Sequence, residues 1–387
     1  MRDQLLVFGR PTIGADEIAE VTAAMTSGWL GTGPRVARFE AAFGGYLGAP
    51  GAVAVGSGTA ALHLAMLVAG VGPGDEVIVP SMTFAATANA VIHTGATPVL
   101  VDVDPQSQNL DPARVEAAIG PRTAAIVPVH FAGHPCPMDR LEALARPHGI
   151  VLIEDAAHCI EGWAGGRKVG TIGDLTCFSF YVTKNITTVE GGMVTSGRSD
   201  WLDAIRVRAL HGLSGSAWKR FSDAGHTHYD VVTPGFKYNM TDLHAAVGLR
   251  QLPNIERWSR HREALWDRYD EAFADLPVDR PALPGLDGDV HARHLYVLRL
   301  RLDELRADRD TVLRALHAEN VGVGVHYVAL HLQPYYRTAF GLRPEDFPVA
   351  TDLSARTLSI PFSPGVSDTD AGDVIEAVHK VLRAYQG

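Results

Sequence analysis

Three stretches of this chain put reactive or charged groups where burial makes them expensive, and the chemistry starts there. Lys184 lies in SFYVTKNITTVEGGMV (179–194), between the apolar runs LTCFSF (175–180) and GMVTS (192–196), which both read as buried. A solvated hairpin lysine would account for it. So would a nucleophilic amine whose charged form is disfavoured by a partly desolvated pocket. Asp155 closes IVLIED (150–155), so it either caps a turn or brings a carboxylate to the ligand-binding edge of a sheet. VAVGSGTAALHLAM (53–66) reads as a strand, a glycine turn and a helix. Free N–H groups near Thr59 and Ala60, aided by the helix dipole, make an anion site there, and Gly58 lets a phosphate approach the backbone. A plain strand-to-helix turn is the other reading of the same residues.

Gly56, Gly58 and Ala61 also satisfy the dinucleotide spacing G-x-G-x-x-A. That fingerprint wants an acid at the end of the next strand, about 20 residues on. Asp75 and Glu76 instead precede the strand EVIVPS, which ends in Pro80 and Ser81. A nicotinamide cofactor would also leave Lys184 and Asp155 without a task. Pyridoxal phosphate uses all three features, because its aldehyde needs a lysine, its ring nitrogen an anion and its phosphate N–H donors. No metal site is expected. His326 and His331 have no acidic or cysteine ligand near them, and Gly133 and Pro135 prevent a helix from facing His130 and His134 together.

These residues must be positioned by the elements around them. EVIVPS (76–81), TPVLVDV (97–103), TAAIVPVH (123–130) and IVLIEDAA (150–157) alternate with the helical patterns FAATANAVIHTG, ARVEAAIG and MDRLEALARPHG. The series predicts an α/β fold with a mostly parallel central sheet and helices on both faces. From 241 to 273 an amphipathic pattern follows, which Pro253 should kink or divide. After a Pro/Gly-rich connection come a strand (HLYVLRLRL, 294–302), a helix (RDTVLRALHAEN), a second strand (VGVGVHYV, 321–328) and a closing helix. The expected division is a large cofactor-binding domain over 1–250 and a smaller C-terminal α+β domain over 251–387.

Composition agrees with an ordinary globular chain, at 387 residues, 46% hydrophobic and 20% charged. A net charge of −10 without basic runs excludes a non-specific nucleic-acid surface. Three cysteines with no CxxC pair argue for free thiols in a reducing compartment, by default the cytoplasm. The first residues hold too short an apolar run for a signal peptide, and the most apolar long window (54–72) is broken by polar residues and glycines, so no membrane insertion is expected.

The motifs together identify a resemblance. From IGADEIAEVTAAMTSGWLGTGPRVARFEAAF through SGTAALHLAM, DEVIVPSMTFAATANAV, IEDAAHCIEG, FSFYVTKNITTVEGGMV and GFKYNMTDLHAAVGLRQL to VGVHYVALHLQPYY and LSIPFSP, the chain resembles the DegT/DnrJ/StrS family of pyridoxal-phosphate sugar aminotransferases. The resemblance implies the aspartate aminotransferase (type I) fold. It also implies a cofactor cycling between pyridoxal and pyridoxamine phosphate, and amino transfer from an L-amino acid, in the first place glutamate, to a keto group on a nucleotide-linked sugar, foremost a 4-keto sugar; a keto-cyclitol is the alternative acceptor. A non-catalytic binding protein that kept the fold is the reading from outside enzymology. By that resemblance Lys184 would carry the cofactor, Asp155 would hold its ring nitrogen and His158 would lie beside the ring hydroxyl. Phe84 would stack on the ring, and Thr59, Ala60 and Ser179 would meet the phosphate.

The family completes its phosphate site with a partner subunit's asparagine in a G-x-N-x-R pattern, where this chain reads Gly235, Phe236, Lys237, Tyr238, Asn239. Asn239 is the expected contact and Lys237 the second candidate, which makes the active unit a homodimer. Trp29 and Thr32, with Gly28, match the sugar pocket, and His326, Tyr327 and His331 match the nucleotide-sugar entrance. Arg206, Arg208, Lys219 and Arg220 are candidates for a donor carboxylate or a diphosphate, or for a solvated surface.

Overall fold

A computed structural model describes residues 2–214 and 229–387. Lys219 and Arg220 lie outside the described residues. The first half of the chain lays down strands β1 (Ala52–Val55), β2 (Glu76–Pro80), β3 (Thr97–Val101), β4 (Thr123–Ile126) and β5 (Val151–Asp155), a small hairpin of β6 (Trp163–Ala164) and β7 (Arg167–Lys168), then β8 (Leu175–Ser179) and β9 (Gly192–Thr195). Seven of these form one sheet in the order β1-β9-β8-β5-β4-β2-β3. Pairings from β3 through β8 are parallel, and β9 runs antiparallel to both neighbours. Because β9 opposes both β1 and β8, β1 points the same way as the parallel strands.

Helices cover both faces: α1 (Ala15–Ser27), α2 (Pro34–Leu47), α3 (Gly58–Val68), α4 (Ala85–His93), α5 (Pro112–Ala118), α6 (Met138–Ala145) and α7 (Ser199–Ala209). Successive strand residues point to opposite faces. Val77 and Ile153 accordingly pack with Leu64, Val91 and Ile205 of α3, α4 and α7, while Ile78 and Leu152 pack with Val115 and Leu141 of α5 and α6. On the same side as α5 and α6, Phe178 and Met193 meet Phe39 and Phe43 of α2. Burial on both sides is why these strands read as unbroken apolar runs.

The 241–273 pattern divides where proline demands it. Helix α8 (Asp242–Gln251) and helix α9 (Ile255–Ala272) are separated by a short 3-10 turn, Leu252–Asn254, that contains Pro253. Helix α9 then carries the chain from one core to another. Ile255 and Trp258 pack with α2 and the large sheet, whereas Trp266, Tyr269 and Phe273 pack with the smaller sheet. That sheet is antiparallel, β10 (Val278–Asp279), β11 (Tyr296–Leu300) and β12 (Thr357–Ile360), backed by α10 (Arg309–Ala318) and α13 (Asp368–Tyr385). Between α10 and α13, α11 (Pro334–Phe340) and α12 (Pro348–Arg356) follow, and Tyr336 of α11 joins the core of the large sheet.

The strand expected in VGVGVHYV does not form. Val321 bridges Leu6 and Gly324 bridges Ser359, so the segment crosses between two neighbours instead of lying along either. Gly322 allows this crossing, since a Cβ there would stand 2.7 Å from the Leu6 carbonyl oxygen. The third strand comes instead from Thr357–Ile360. Among the described residues no helix is long and apolar enough to cross a membrane.

Candidate active site

The carboxyl ends of β1, β2, β4, β5 and β8 meet at one edge of the large sheet, and the loops that leave them line a cleft of about 490 Å³. From the segments around the large sheet come Gly58, Thr59, Phe84, Asp155, His158, Ser179 and Lys184; the chain after α9 closes the other side with His294, His326 and Tyr327. Ligands gather at this edge because backbone donors and strand-end side chains converge there without covering one another.

Asp155 ends β5 and is 6% exposed. Its Oδ2 accepts a hydrogen bond from Thr87 Oγ1 at 2.8 Å and its Oδ1 accepts one from the Ala157 N–H at 3.2 Å. Burial still raises its pKa above the usual carboxylate range, against the pull of those donors and of Lys184. A buried carboxylate in that condition is stabilised by a cation brought into the cleft. Lys184 lies in the turn after β8, where burial brings its ammonium down to about 8 despite the opposing field of Asp155. At pH 7 the neutral, nucleophilic fraction thereby rises from about 0.03% to about 10%.

Helix α3 begins at Gly58 with Ser57 as its N-cap, and Ser57 Oγ accepts from the Ala60 N–H at 3.1 Å. Ala60 is therefore already engaged, and the unspent donors are the N–H groups of Gly58 and Thr59. A Cβ on Gly58 would stand 2.9 Å from Ser179 Cβ, so only glycine lets the two walls of this cradle close up. Phe84, just before α4, is 59% exposed and offers a bare aromatic face. A neutral-prone amine, a buried anion, a helix N-terminus beside two hydroxyls and an exposed ring match the aldehyde, ring nitrogen, phosphate and π-face of pyridoxal phosphate. The residues present fit that cofactor.

His158 Nδ1 accepts from the Ala132 N–H at 3.2 Å, which leaves the single proton of a neutral ring on Nε2, 3.2 Å from the Tyr327 hydroxyl oxygen. Neutrality follows from burial first and then from the positive charge of Lys184, which push its pKa well below the usual histidine value. His326 is brought to about 4 by burial and Lys184, and its Nδ1 lies 2.9 Å from Ser359 Oγ.

The other expected residues stand elsewhere. Lys237 Nζ donates to Asn239 Oδ1 at 2.7 Å, and Asn239 Nδ2 donates to Thr32 Oγ1 at 2.7 Å. These three form a group outside the cleft wall of their own chain, and Trp29, three residues before Thr32, does not line the cleft either. His331 is fully buried, stacked on Phe347 at 4.5 Å and bonded to Thr351 at 2.8 Å, a packed position that no cleft ligand reaches. Arg206, on α7, pairs with Asp203 and Glu40 and donates to the Ala52 carbonyl; neither it nor Arg208 lines the cleft. Sequence reasoning missed Thr87, Glu190 and His294. Thr87 sits four residues after Thr83, so one helical turn could have signalled the pair. Glu190 lies inside a quoted motif, whereas His294 gave no local sign because its partner is Asn185.

The chain is 47% identical over 383 residues to the spore coat polysaccharide biosynthesis protein SpsC of Bacillus subtilis, covering 99% of this chain and 98% of SpsC. The Streptococcus pneumoniae protein Spr1654, solved in pyridoxal-phosphate and pyridoxamine-phosphate forms, superposes with TM-scores of 0.90 and 0.91 at 33% identity, covering 98% of this chain and 99% of that one. Helicobacter pylori PseC, an aminotransferase involved in the biosynthesis of pseudoaminic acid, superposes with a TM-score of 0.90 at 25% identity, covering 99% and 100%. The family model of the DegT/DnrJ/EryC1/StrS aminotransferases matches residues 11–379, so this chain belongs to that family and is a pyridoxal-phosphate-dependent aminotransferase of fold type I.

Proposed function

We propose that this enzyme moves an amino group from L-glutamate to the keto carbon of a nucleotide-linked sugar, foremost a 4-keto sugar, as a homodimer in the cytoplasm. The observation that carries the reading is the convergence of Lys184, Asp155 and the α3 N-terminus on one cleft. When bound, pyridoxal phosphate supplies an aldehyde that accepts the amino group and a ring that draws electrons from the carbon losing its proton.

The chain's own residues supply the rest. Asp155, held by Thr87 and the Ala157 N–H, would stay ionised and pair with the ring nitrogen. Gly58, Thr59 and Ser179 would bind and orient the phosphate, and Phe84 would cover the ring face. Lys184 Nζ, with a pKa of about 8, would take the proton from the donor's α-carbon as base and, in the second half-reaction, give one as ammonium to the sugar carbon that receives the amino group, working near its own pKa where both forms are available. His158 would face the ring hydroxyl, and His326 and Tyr327 would stand at the sugar entrance.

The sugar acceptor is supported by SpsC, which acts in polysaccharide biosynthesis. The dimer is supported by the Lys237–Asn239–Thr32 group, whose polar atoms lie outside their own cleft and would complete a partner's phosphate site. Three free, buried cysteines support a reducing compartment. Borohydride reduction followed by peptide mapping should place the cofactor on Lys184; an adduct elsewhere, or none, ends the reading. The aminated enzyme, offered nucleotide 4-keto sugars, 3-keto sugars and keto-cyclitols, should be returned to its aldehyde form by the first. Turnover with a cyclitol alone would replace the proposed acceptor.

A further inference from the structure

We infer that Phe8 is a specificity-determining residue for the acceptor: carried on an N-terminal strap, it forms with His326 and Tyr327 an uncharged aromatic wall against which the sugar ring lies, and which the amino donor does not use. The inference rests on the proposed sugar acceptor. All three rings line the cleft that holds Lys184 and Asp155. The centroids of Phe8 and His326 are 5.5 Å apart, and those of His326 and Tyr327 are 5.0 Å apart. Phe8 itself is half-buried, so part of its ring is left for a ligand.

The strap is fixed on both sides of Phe8. Before it, the Leu6 N–H donates to the Asn320 carbonyl and the Leu6 carbonyl accepts from the Gly322 N–H, each at 2.9 Å. After it, Gly9 has a φ of +67°, and a Cβ there would stand 2.9 Å from Thr183 Cγ2, on the residue before Lys184. Farther on, the Thr12 carbonyl accepts from Gln251 Nε2 at 3.0 Å.

The facing segment makes room for the rings. A Cβ on Gly322 would stand 3.0 Å from the Phe8 nitrogen, and one on Gly324 would stand 2.9 Å from His326 Cε1 and 3.4 Å from Phe8 Cε1. The glycines of VGVGVHYV, which build no strand, therefore let the strap and the His326 ring close on each other. His326 is anchored in turn, with Nδ1 2.9 Å from Ser359 Oγ.

The wall carries no charge at about pH 7. Burial and Lys184 bring His326 to about 4, and burial, then the field of Asp155, pushes the Tyr327 phenol up. An aromatic face carries the negative part of the ring quadrupole, so it offers nothing to a carboxylate, and glutamate brings two. A sugar ring is neutral and presents carbon-bound hydrogens, which gain from such a face and from leaving water. The two substrates occupy the cleft in turn, and this wall tells them apart.

The test follows the two half-reactions separately, by absorbance, in the full-length holoenzyme. F8A should lower the second-order rate constant for nucleotide 4-keto sugars by about 10- to 30-fold, through weaker binding, and leave the glutamate step within about twofold. F8Y, which keeps the ring, should restore the sugar step to within about threefold. F8L keeps the apolar volume that packs the strap, and should still lose about three- to fivefold. Calorimetric titration of the amine form with the corresponding sugars carrying a hydroxyl at C4, which cannot react, should show the same order of affinities. Equal losses in both half-reactions, or variants whose sugar step and binding match the wild type, overturn the role. The failures are distinct: a wild-type amine form that no nucleotide keto sugar returns to the aldehyde sinks the functional reading, whereas wild-type turnover without a split in the variants sinks only the part given to Phe8.

Discussion

Replacing Thr87 with valine probes how the cleft keeps a buried carboxylate ionised. Thr87 is fully buried, and its hydroxyl hydrogen goes to Asp155 Oδ2 at 2.8 Å. Thr83 Oγ1 stands 2.9 Å from Thr87 Oγ1, and since the Thr87 hydrogen is spent on Asp155, Thr83 is the donor in that second bond. Valine keeps the shape and deletes both bonds. A hydrogen bond to a charged acceptor is worth about 1.5–3 kcal/mol, which corresponds to about 1–2 pH units in the carboxylate's pKa. The sign is upward: burial already raises the pKa of Asp155, Thr87 counters it, and without Thr87 the acid is protonated at higher pH. The acid limb of the glutamate half-reaction should therefore move up by about 1–2 units, and cofactor affinity should fall at pH values below that limb. Rapid-mixing absorbance across pH reads the first, and fluorescence titration of the cofactor-free protein reads the second. Thr83→Val, which leaves the Asp155 bond in place, should shift the limb by less than about half a unit. A folded T87V enzyme whose acid limb coincides with the wild type would refute the account of how Asp155 is held.

Lys184→Met should stabilise the cofactor-free protein while abolishing transamination. Its folded pKa of about 8 lies below the ordinary lysine value, so a penalty of up to about 3 kcal/mol is present in full below about pH 8 and is relieved as pH rises toward about 10.5. Thermal melts should show K184M ahead at about pH 7 and level with the wild type above about pH 10.5; no gain at neutral pH would contradict the desolvation argument. Gly58→Ala places a Cβ 2.9 Å from Ser179 Cβ and should cost about 1–3 kcal/mol at the phosphate cradle, read as a 5- to 150-fold loss of cofactor affinity of that order. If Asn239 serves a partner's site, chains bearing K184A and N239A, each inactive alone, should recover up to about a quarter of wild-type activity when co-refolded, since half the dimers are mixed and each carries one intact site. No recovery would confine each site to one chain.

The large sheet was legible because its strands are buried on both faces and bounded by helices with glycine ends, a pattern that survives in one dimension. The division at Pro253 was legible for the same local reason, since a ring in place of an N–H interrupts a helix wherever it stands. VGVGVHYV misled because alternating valine and glycine mimic a strand, while the decision was taken by Leu6 and Ser359, which bridge Val321 and Gly324 from opposite ends of the chain. Within the site, Lys184, Asp155 and the Gly58 turn announced themselves as polar groups set among apolar runs. Ala60 looked like a free donor until its N-cap was seen to hold it, and His331 looked like a ligand residue until its packing on Phe347 was seen.

The amino-acid order by itself determined which groups exist to do chemistry and which strand end or helix start carries each, because turn residues, apolar runs and caps act over a few positions. Only the tertiary structure decided how those groups are tuned. Burial brought Lys184 to about 8, Thr87 reached Asp155 across 68 residues, and the Ala132 N–H fixed the tautomer of His158. Protonation and tautomer depend on solvent exclusion and on partners distant along the chain, and neither quantity is local to the residue that expresses it.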